Sequence, residues 1–435
     1  MKLLSALLCL SFFSGLFSAF SQSDQLYGSA QTSRNKGNLV IVGGGLEADN
    51  KSIYNQLIFL AGGPEKASFA VIPSASGVAV QSYMSFRNIL ISYGVKPENI
   101  HLINIAVVDD DSTHDINESL WKDNGNDTRL AGIVRSCSAV WFTGGDQLRS
   151  TKALFKADGS RTPVLEAVWD VYQSGGVIGG TSAGAAIMSE AMIGGGNSLS
   201  ALEHGAITDY PGDDFPEDDG VLLSKGFGFF PAGIVDQHFN TRARIARLAV
   251  VLMKEKPRFG TGFGIDENTA LVYSGSKNLV TVAGASGITI LNCSQATFTR
   301  VNELAGIRNL KLSYLQEGDA FDVSSGTIIP APGKKPTKGN EHNNIIKPGQ
   351  PGVLSGHPLN FRDLLTHQLI DNKGADTVTN FNLTDRNSGF LVTLYKTSSS
   401  EGFLIAPPEG ESRYTVVNVQ MDITPVTLTL TPLKK

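Results

Sequence analysis

Five short apolar runs punctuate the first half of the chain, at residues 38–42, 69–72, 100–105, 139–142 and 176–178. Each is bounded by Gly, Pro or Asn and is rich in β-branched or aromatic residues, the pattern of strands buried on both faces in a parallel sheet. Between them, residues 53–60, 80–93 and 163–172 repeat apolar positions at helical spacing, the last opening with Pro163 in its first turn. Parallel neighbours must be joined by crossovers, so this alternation predicts an α/β protein with a doubly wound, mostly parallel sheet and helices on both faces. Ligands of such sheets bind beyond the carboxyl ends of the strands. Any functional residue is therefore expected just past the end of an apolar run.

The segment Gly179-Gly180-Thr181-Ser182-Ala183-Gly184-Ala185-Ala186 meets that condition after the run 176–178. Gly180, Ser182 and Gly184 have the Gly-x-Ser-x-Gly spacing of a nucleophile elbow, where small neighbours permit a strained turn that lifts a serine hydroxyl clear of the sheet. The residues that follow, AAIMSEAM, are compatible with a helix, whose first free N–H groups, Ala183 among them, would face a developing oxyanion. Phosphate binding is the other use of such turns, but it calls for a lysine or a longer glycine spacing. Trp141-Phe142-Thr143-Gly144-Gly145-Asp146-Gln147 ends another run; Gly145 can supply a second oxyanion donor and Gln147 projects into the cleft.

A serine hydroxyl needs a base within hydrogen-bond reach. Of seven histidines, His238 alone directly follows a short apolar run, 234–235, ahead of a helix opened by Asn240 and Thr241. A third group should orient the imidazole. Glu190, eight residues along the same expected helix as Ser182, would stand about 12 Å away at ~1.5 Å per residue. Glu203 follows the pliable Gly194-Gly195-Gly196-Asn197-Ser198 loop and is preferred, with Asp209, Asp213 and Asp236 left open. Past His238 come Arg242, Arg244 and Arg247, the last two sharing a helical face. Guanidinium groups there suit a substrate rich in carboxylates; the plain alternative is a solvated helix face. No His/Glu cluster has ligand spacing, so neither metal nor cofactor is expected.

With 36 basic and 41 acidic residues the net charge is -5, which argues against nucleic acid or an anionic membrane as a partner. Residues 1–21 read as an export signal: Lys2, an apolar stretch, then Ala19 and Ser21 at cleavage-site spacing. That places the protein outside the cytoplasm, in periplasm or medium, free of the membrane once the signal is cleaved. Residues 22–37 form an N-terminal extension, 38–330 the main domain, 331–358 a Pro/Lys/Asn-rich linker, and 359–435 a small β-rich C-terminal region. That region is read either as an accessory domain or as an extension packed on the main body. Cys137 and Cys293 remain after signal removal, paired or separately buried. A homodimer is left open.

Taken in order, Leu39-Val-Ile-Val-Gly-Gly44, Phe142-Thr-Gly-Gly-Asp-Gln147, Gly180-Thr-Ser-Ala-Gly-Ala-Ala186, Asp236-Gln-His-Phe239 with the three arginines, and Gly264-Ile-Asp-Glu-Asn-Thr-Ala270 resemble the cyanophycinases. The resemblance spans residues 38–325. It implies a fold similar to class I glutamine amidotransferases and a serine peptidase that degrades cyanophycin, a polyaspartate carrying arginine on each side-chain carboxyl, to β-aspartyl-arginine. It implies Ser182 as nucleophile, His238 as base, and substrate contacts at Gln147, Asp236, Gln237, Arg242, Arg244 and Arg247. The glutamate of the family follows the glycine-serine loop closely, whereas Glu203 stands a few residues further on. Rival readings are an aspartyl dipeptidase-like peptidase, an esterase with the same elbow, and a noncatalytic polymer-binding protein.

Overall fold

The structure is a computed structural model and describes residues 37–208, 210, 215–345, 352–355, 360–384, 387–406, 410–427 and 429. The expected export signal, residues 22–36 of the expected N-terminal extension, Asp209 and Asp213 lie outside the described residues.

The expected strands form as β1 (Asn38–Val42), β2 (Phe69–Ile72), β3 (Ile100–Leu102), β4 (Ala139–Phe142) and β5 (Val177–Thr181), all parallel, in the spatial order β1-β5-β4-β2-β3. Their alternate residues feed two cores, as a pleat with a period of two requires. Leu39, Ile41, Val140 and Phe142 pack with helices Thr128–Ser136 and Pro163–Gln173, while Val40, Val42, Val71 and Trp141 pack with Lys51–Leu60 and Ala79–Ser92. Helices therefore cover both faces. Caps match the local sequence: Asn50, Asp127 and Thr162 each accept a first-turn N–H, and Pro163 occupies the position where no N–H is needed.

Beyond β1 the sheet turns antiparallel. Thr269–Ser274 pairs with β1 in reverse, followed by Leu279–Gly284, Ala320–Asp322 and Thr327–Ile329, so that nine strands among the described residues form a sheet parallel only in its β1–β5 part. A second sheet, of ten strands among the described residues, begins with the parallel pair Ile234–Asp236 and Thr261–Ile265.

The C-terminal strands belong to this second sheet. Arg413–Thr427 lies beside Leu304–Gln316, with Leu312 opposite Val419 and Tyr314 opposite Val416, and the joined strands share one core with helix Ile245–Glu255. Strands of the tail therefore share a sheet and a core with the preceding residues. The stretch expected to be a solvated linker is mostly exposed where described, and it touches the sheet where Lys335–Pro336 pairs with Glu401–Ile405. The Lys334 ammonium, 1% exposed, meets both Asp319 carboxylate oxygens at 2.8 Å, the Tyr414 carbonyl and the Thr415 hydroxyl. Its partners lie 15, 80 and 81 residues away along the chain, which local composition does not reveal. Cys137 and Cys293 are both free and buried, in different cores.

Candidate active site

Two pairs of neighbouring strands bring the site together. In the first sheet Val42 stands opposite Thr181, and in the second Asp236 stands opposite Gly264. The residues that follow each strand end, 43–44, 182, 237–238 and 266–267, consequently meet at one rim. Ser182 N–H donates to the Val42 carbonyl at 3.0 Å and His238 N–H to the Gly43 carbonyl at 2.6 Å. Both residues have positive φ, 55° and 46°, a conformation that costs ~1–3 kcal/mol in a side-chain-bearing residue and collects at functional sites. Gly44 completes the seat, since a Cβ there would lie 2.3 Å from two atoms of the His238 ring.

Ser182 Oγ stands 2.9 Å from His238 Nε2. On the other side of the ring, Nδ1 is hydrogen-bonded to Glu267. Neutral His238 then carries its proton on Nδ1 and presents Nε2 as an acceptor to the serine, the tautomer a general base requires. Burial holds the His238 pKa below its ordinary 6.5; the Glu267 hydrogen bond opposes this, and the Arg242 and Arg244 charges reinforce it. The ring is neutral at pH 7.

Glu267 replaces Glu203 in the expected arrangement. Glu203 lies on helix Ser198–His204, its main-chain carbonyl accepting from Arg300, and among the described residues its carboxylate has no hydrogen bond to His238. The expected long helix after Ser182 also stops early. Ala183–Ala186 is its whole extent, and Ala191–Gly196 is a strand, which turns Glu190 outward to pair with Arg258. Glu267 was legible as an acid just past the apolar run 263–265, inside the Gly264–Ala270 motif, though nothing local distinguishes it from Asp266.

Asp266 faces the interior. Fully buried, it accepts from the Asn240 N–H at 3.1 Å and the Ser286 hydroxyl at 2.8 Å, and burial pushes its pKa up to about 6. By holding Asn240 it fixes the turn that leaves His238.

The expected oxyanion donors border the serine. Ala183 is the next residue, and Gly144, beside Gly145, has its Cβ direction 3.4 Å from Ser182 Cβ. Gly145 has φ 138°, and a Cβ on it would lie 2.0 Å from the Ala75 carbonyl. Among the described residues neither the Ala183 nor the Gly145 N–H has a backbone acceptor.

Of the six expected substrate contacts, most are committed within the protein. Arg247, 1% exposed, grips Asp236 through Nε at 2.8 Å and Nη2 at 2.5 Å and donates to the Gly196 carbonyl. Arg244 is also buried, donating to the Gln237 carbonyl at 2.7 Å. The Gln147 amide, expected to project into the cleft, donates to the Ile193 and Gly194 carbonyls. Arg247 thereby ties the end of strand Ala191–Gly196 to Asp236, two residues before His238, while Gln147 holds the same strand at Ile193 and Gly194. Arg242 is exposed, and the Gln237 side-chain carbonyl is buried with no hydrogen-bond partner among the described residues. Those two groups remain for a substrate. The sequence placed all three arginines near the histidine; the Asp236 charge draws two of them inward.

A serine, an imidazole and a carboxylate in one hydrogen-bonded line define the hydrolases that act by a serine nucleophile. A family model described as peptidase family S51 matches residues 39–281, and this chain belongs to that family and is a serine-type peptidase. It is similar to proteins named cyanophycinase: one from Trichormus variabilis is 30% identical over 67% of this chain and 88% of its own length. Those from Synechococcus elongatus, 30% identical over 68% and 83%, and Geminocystis herdmanii, 32% over 65% and 92%, are similar too. A crystal structure of a peptidase from an acI-B1 Actinobacterium aligns with 66% of this chain and 98% of that one, at 20% identity and a TM-score of 0.45.

Proposed function

We propose that this chain is an exported cyanophycinase, a serine exopeptidase that cleaves the polyaspartate backbone of cyanophycin and releases β-aspartyl-arginine dipeptides. The observation that carries the reading is the line from Ser182 through His238 to Glu267, in a chain whose relatives bear the name cyanophycinase. Ser182 Oγ attacks a backbone carbonyl near one end of the polymer and passes its proton to His238 Nε2, while Glu267 stabilises the imidazolium. The oxyanion is held by the Ala183 and Gly145 N–H groups. Collapse of the tetrahedral intermediate breaks the C–N bond, His238 returns the proton to the leaving amine, and water, deprotonated by the same imidazole, releases the acyl group from Ser182. Arg242 and the Gln237 carbonyl contact the substrate.

The parallel strands β1 to β5, with the elbow at the end of β5, support likeness to the class I glutamine amidotransferase fold. The leader at residues 1–21 supports export.

Incubation of the protein purified from the culture medium or periplasm with cyanophycin tests the proposal. The wild type is expected to clear the polymer and release β-aspartyl-arginine, and Ser182→Ala to release none while keeping its melting temperature. Cleavage of short aspartyl peptides or simple esters with the polymer left intact would reject cyanophycin as the substrate. Polymer binding without products would reject the enzyme reading.

A further inference from the structure

A groove of about 1290 Å³ starts at Arg242, whose backbone N–H donates to the His238 carbonyl at 3.0 Å. Its near wall is Thr241, Arg242 and the outer face of helix Ser198–His204, including Glu203. Its far wall comes from outside the stretch that matches the peptidase family, which ends at residue 281. One part is the hairpin of strands Thr297–Val301 and Leu304–Gln316, whose turn residues Asn302 and Glu303 both have positive φ. The other is the C-terminal sheet, with Leu383, Ser388 and Pro425. The groove exceeds the ~300–1,000 Å³ typical of a small-molecule pocket, so it has room for more than one repeat of a polymer.

The charges along it are of both signs. Arg242 and Arg300 are exposed, and Glu303 with them. Among the described residues the carboxylates of Glu203 and Glu303 and the guanidinium of Arg242 have no hydrogen bond or ion pair, and Arg300 reaches only the Glu203 main-chain carbonyl, at 3.3 Å. Charges of both signs that line one groove and are unpaired among the described residues are available to a ligand that brings its own. A polymer whose every repeat displays one guanidinium and one carboxylate is such a ligand, with carboxylates meeting Arg242 and Arg300 and guanidinium groups meeting Glu203 and Glu303.

We infer that this groove is an extended binding site for the uncut part of a zwitterionic arginyl-aspartyl polymer, with its far wall supplied by the hairpin and C-terminal strands. The inference rests on the cyanophycinase reading above. Holding several repeats next to the scissile bond raises the local concentration of chain ends at Ser182 and lowers KM for long substrates over short ones.

The test compares the full-length wild type with the double variant Arg300→Ala/Glu303→Ala, which alters two exposed side chains on the hairpin. Substrates are cyanophycin and a four-residue fragment containing two β-aspartyl-arginine repeats. The polymer-to-fragment ratio of kcat/KM is expected to fall about tenfold in the variant, through KM. Cosedimentation with insoluble polymer should weaken alike when the pair is changed in a Ser182→Ala background. A ratio within about twofold of the wild type, with equal cosedimentation, would overturn the groove and leave the cyanophycinase reading standing. A wild type that releases nothing from the polymer overturns both.

Discussion

Replacing Glu267 by Gln keeps the shape of the side chain and removes the charge beside His238 Nδ1. The amide oxygen can still accept from Nδ1, so the loss is the extra stabilisation that a carboxylate gives an imidazolium. A hydrogen bond to a charged group contributes ~1.5–3 kcal/mol and a neutral one ~0.5–1.5, so the loss is about 1–1.5 kcal/mol. At a factor of ten per ~1.4 kcal/mol, kcat should fall about 5- to 12-fold. The Glu267 side chain is 35% exposed, so water screens part of its field, and the fall should stay short of the ~10⁴-fold measured when the buried carboxylate of the serine-protease template is made an amide. KM should stay within about twofold, because the lost interaction forms only as the imidazole becomes charged. The pH profile gives a second reading. Glu267 raises the His238 pKa against burial, so Glu267→Gln should move the acid limb of kcat/KM to lower pH. The assay is initial-rate release of β-aspartyl-arginine from a short substrate between pH 4.5 and 8, a window set around the ordinary histidine value of about 6.5. The reasoning fails if Glu267→Gln has near wild-type kcat, or if Glu203→Gln loses more of it.

In the wild type, His238 must be neutral to accept the serine proton, and burial holds its pKa below 6.5. Activity should therefore run level through neutrality and decline only as pH falls below 6.5; a limb above pH 7 would contradict the burial argument. Gly44→Ala would place a methyl group 2.3 Å from the His238 ring; a displacement of ~1 Å at the reacting groups costs about 10²-fold, so kcat should collapse while the near-UV spectrum of the fold persists. Lys334→Met strands the buried Asp319 carboxylate, and removing one partner of such a pair costs ~3–5 kcal/mol. Urea unfolding measures this, and a cost under about 1 kcal/mol would show that the pair does not tie the C-terminal strands to the body.

What local pattern could specify was specified well. The runs that became β1 to β5 are short, β-branched and bounded by turn residues, and a strand buried on both faces has few other ways to be written. Ser182 and His238 were legible for a related reason, because each directly follows such a run and the ends of parallel strands share one rim. The helix after Ser182 was overread: apolar spacing in AAIMSEAM fits a helix, but pairing with Val221–Lys225 turns residues 191–196 into a strand. Composition likewise misjudged Lys334, whose partners are remote in sequence.

The amino-acid order alone thus determined which residues could do chemistry and which end of which strand would carry them. Tertiary structure decided among like groups. Asp266 and Glu267 are adjacent, yet one is swallowed by the core and the other faces the imidazole, because the chain turns just past strand Thr261–Ile265. Arg242, Arg244 and Arg247 look alike in sequence, and only the buried Asp236 carboxylate separates the two it draws inside from the one left in water. Charge is local, but the partner that neutralises it arrives from elsewhere in the chain.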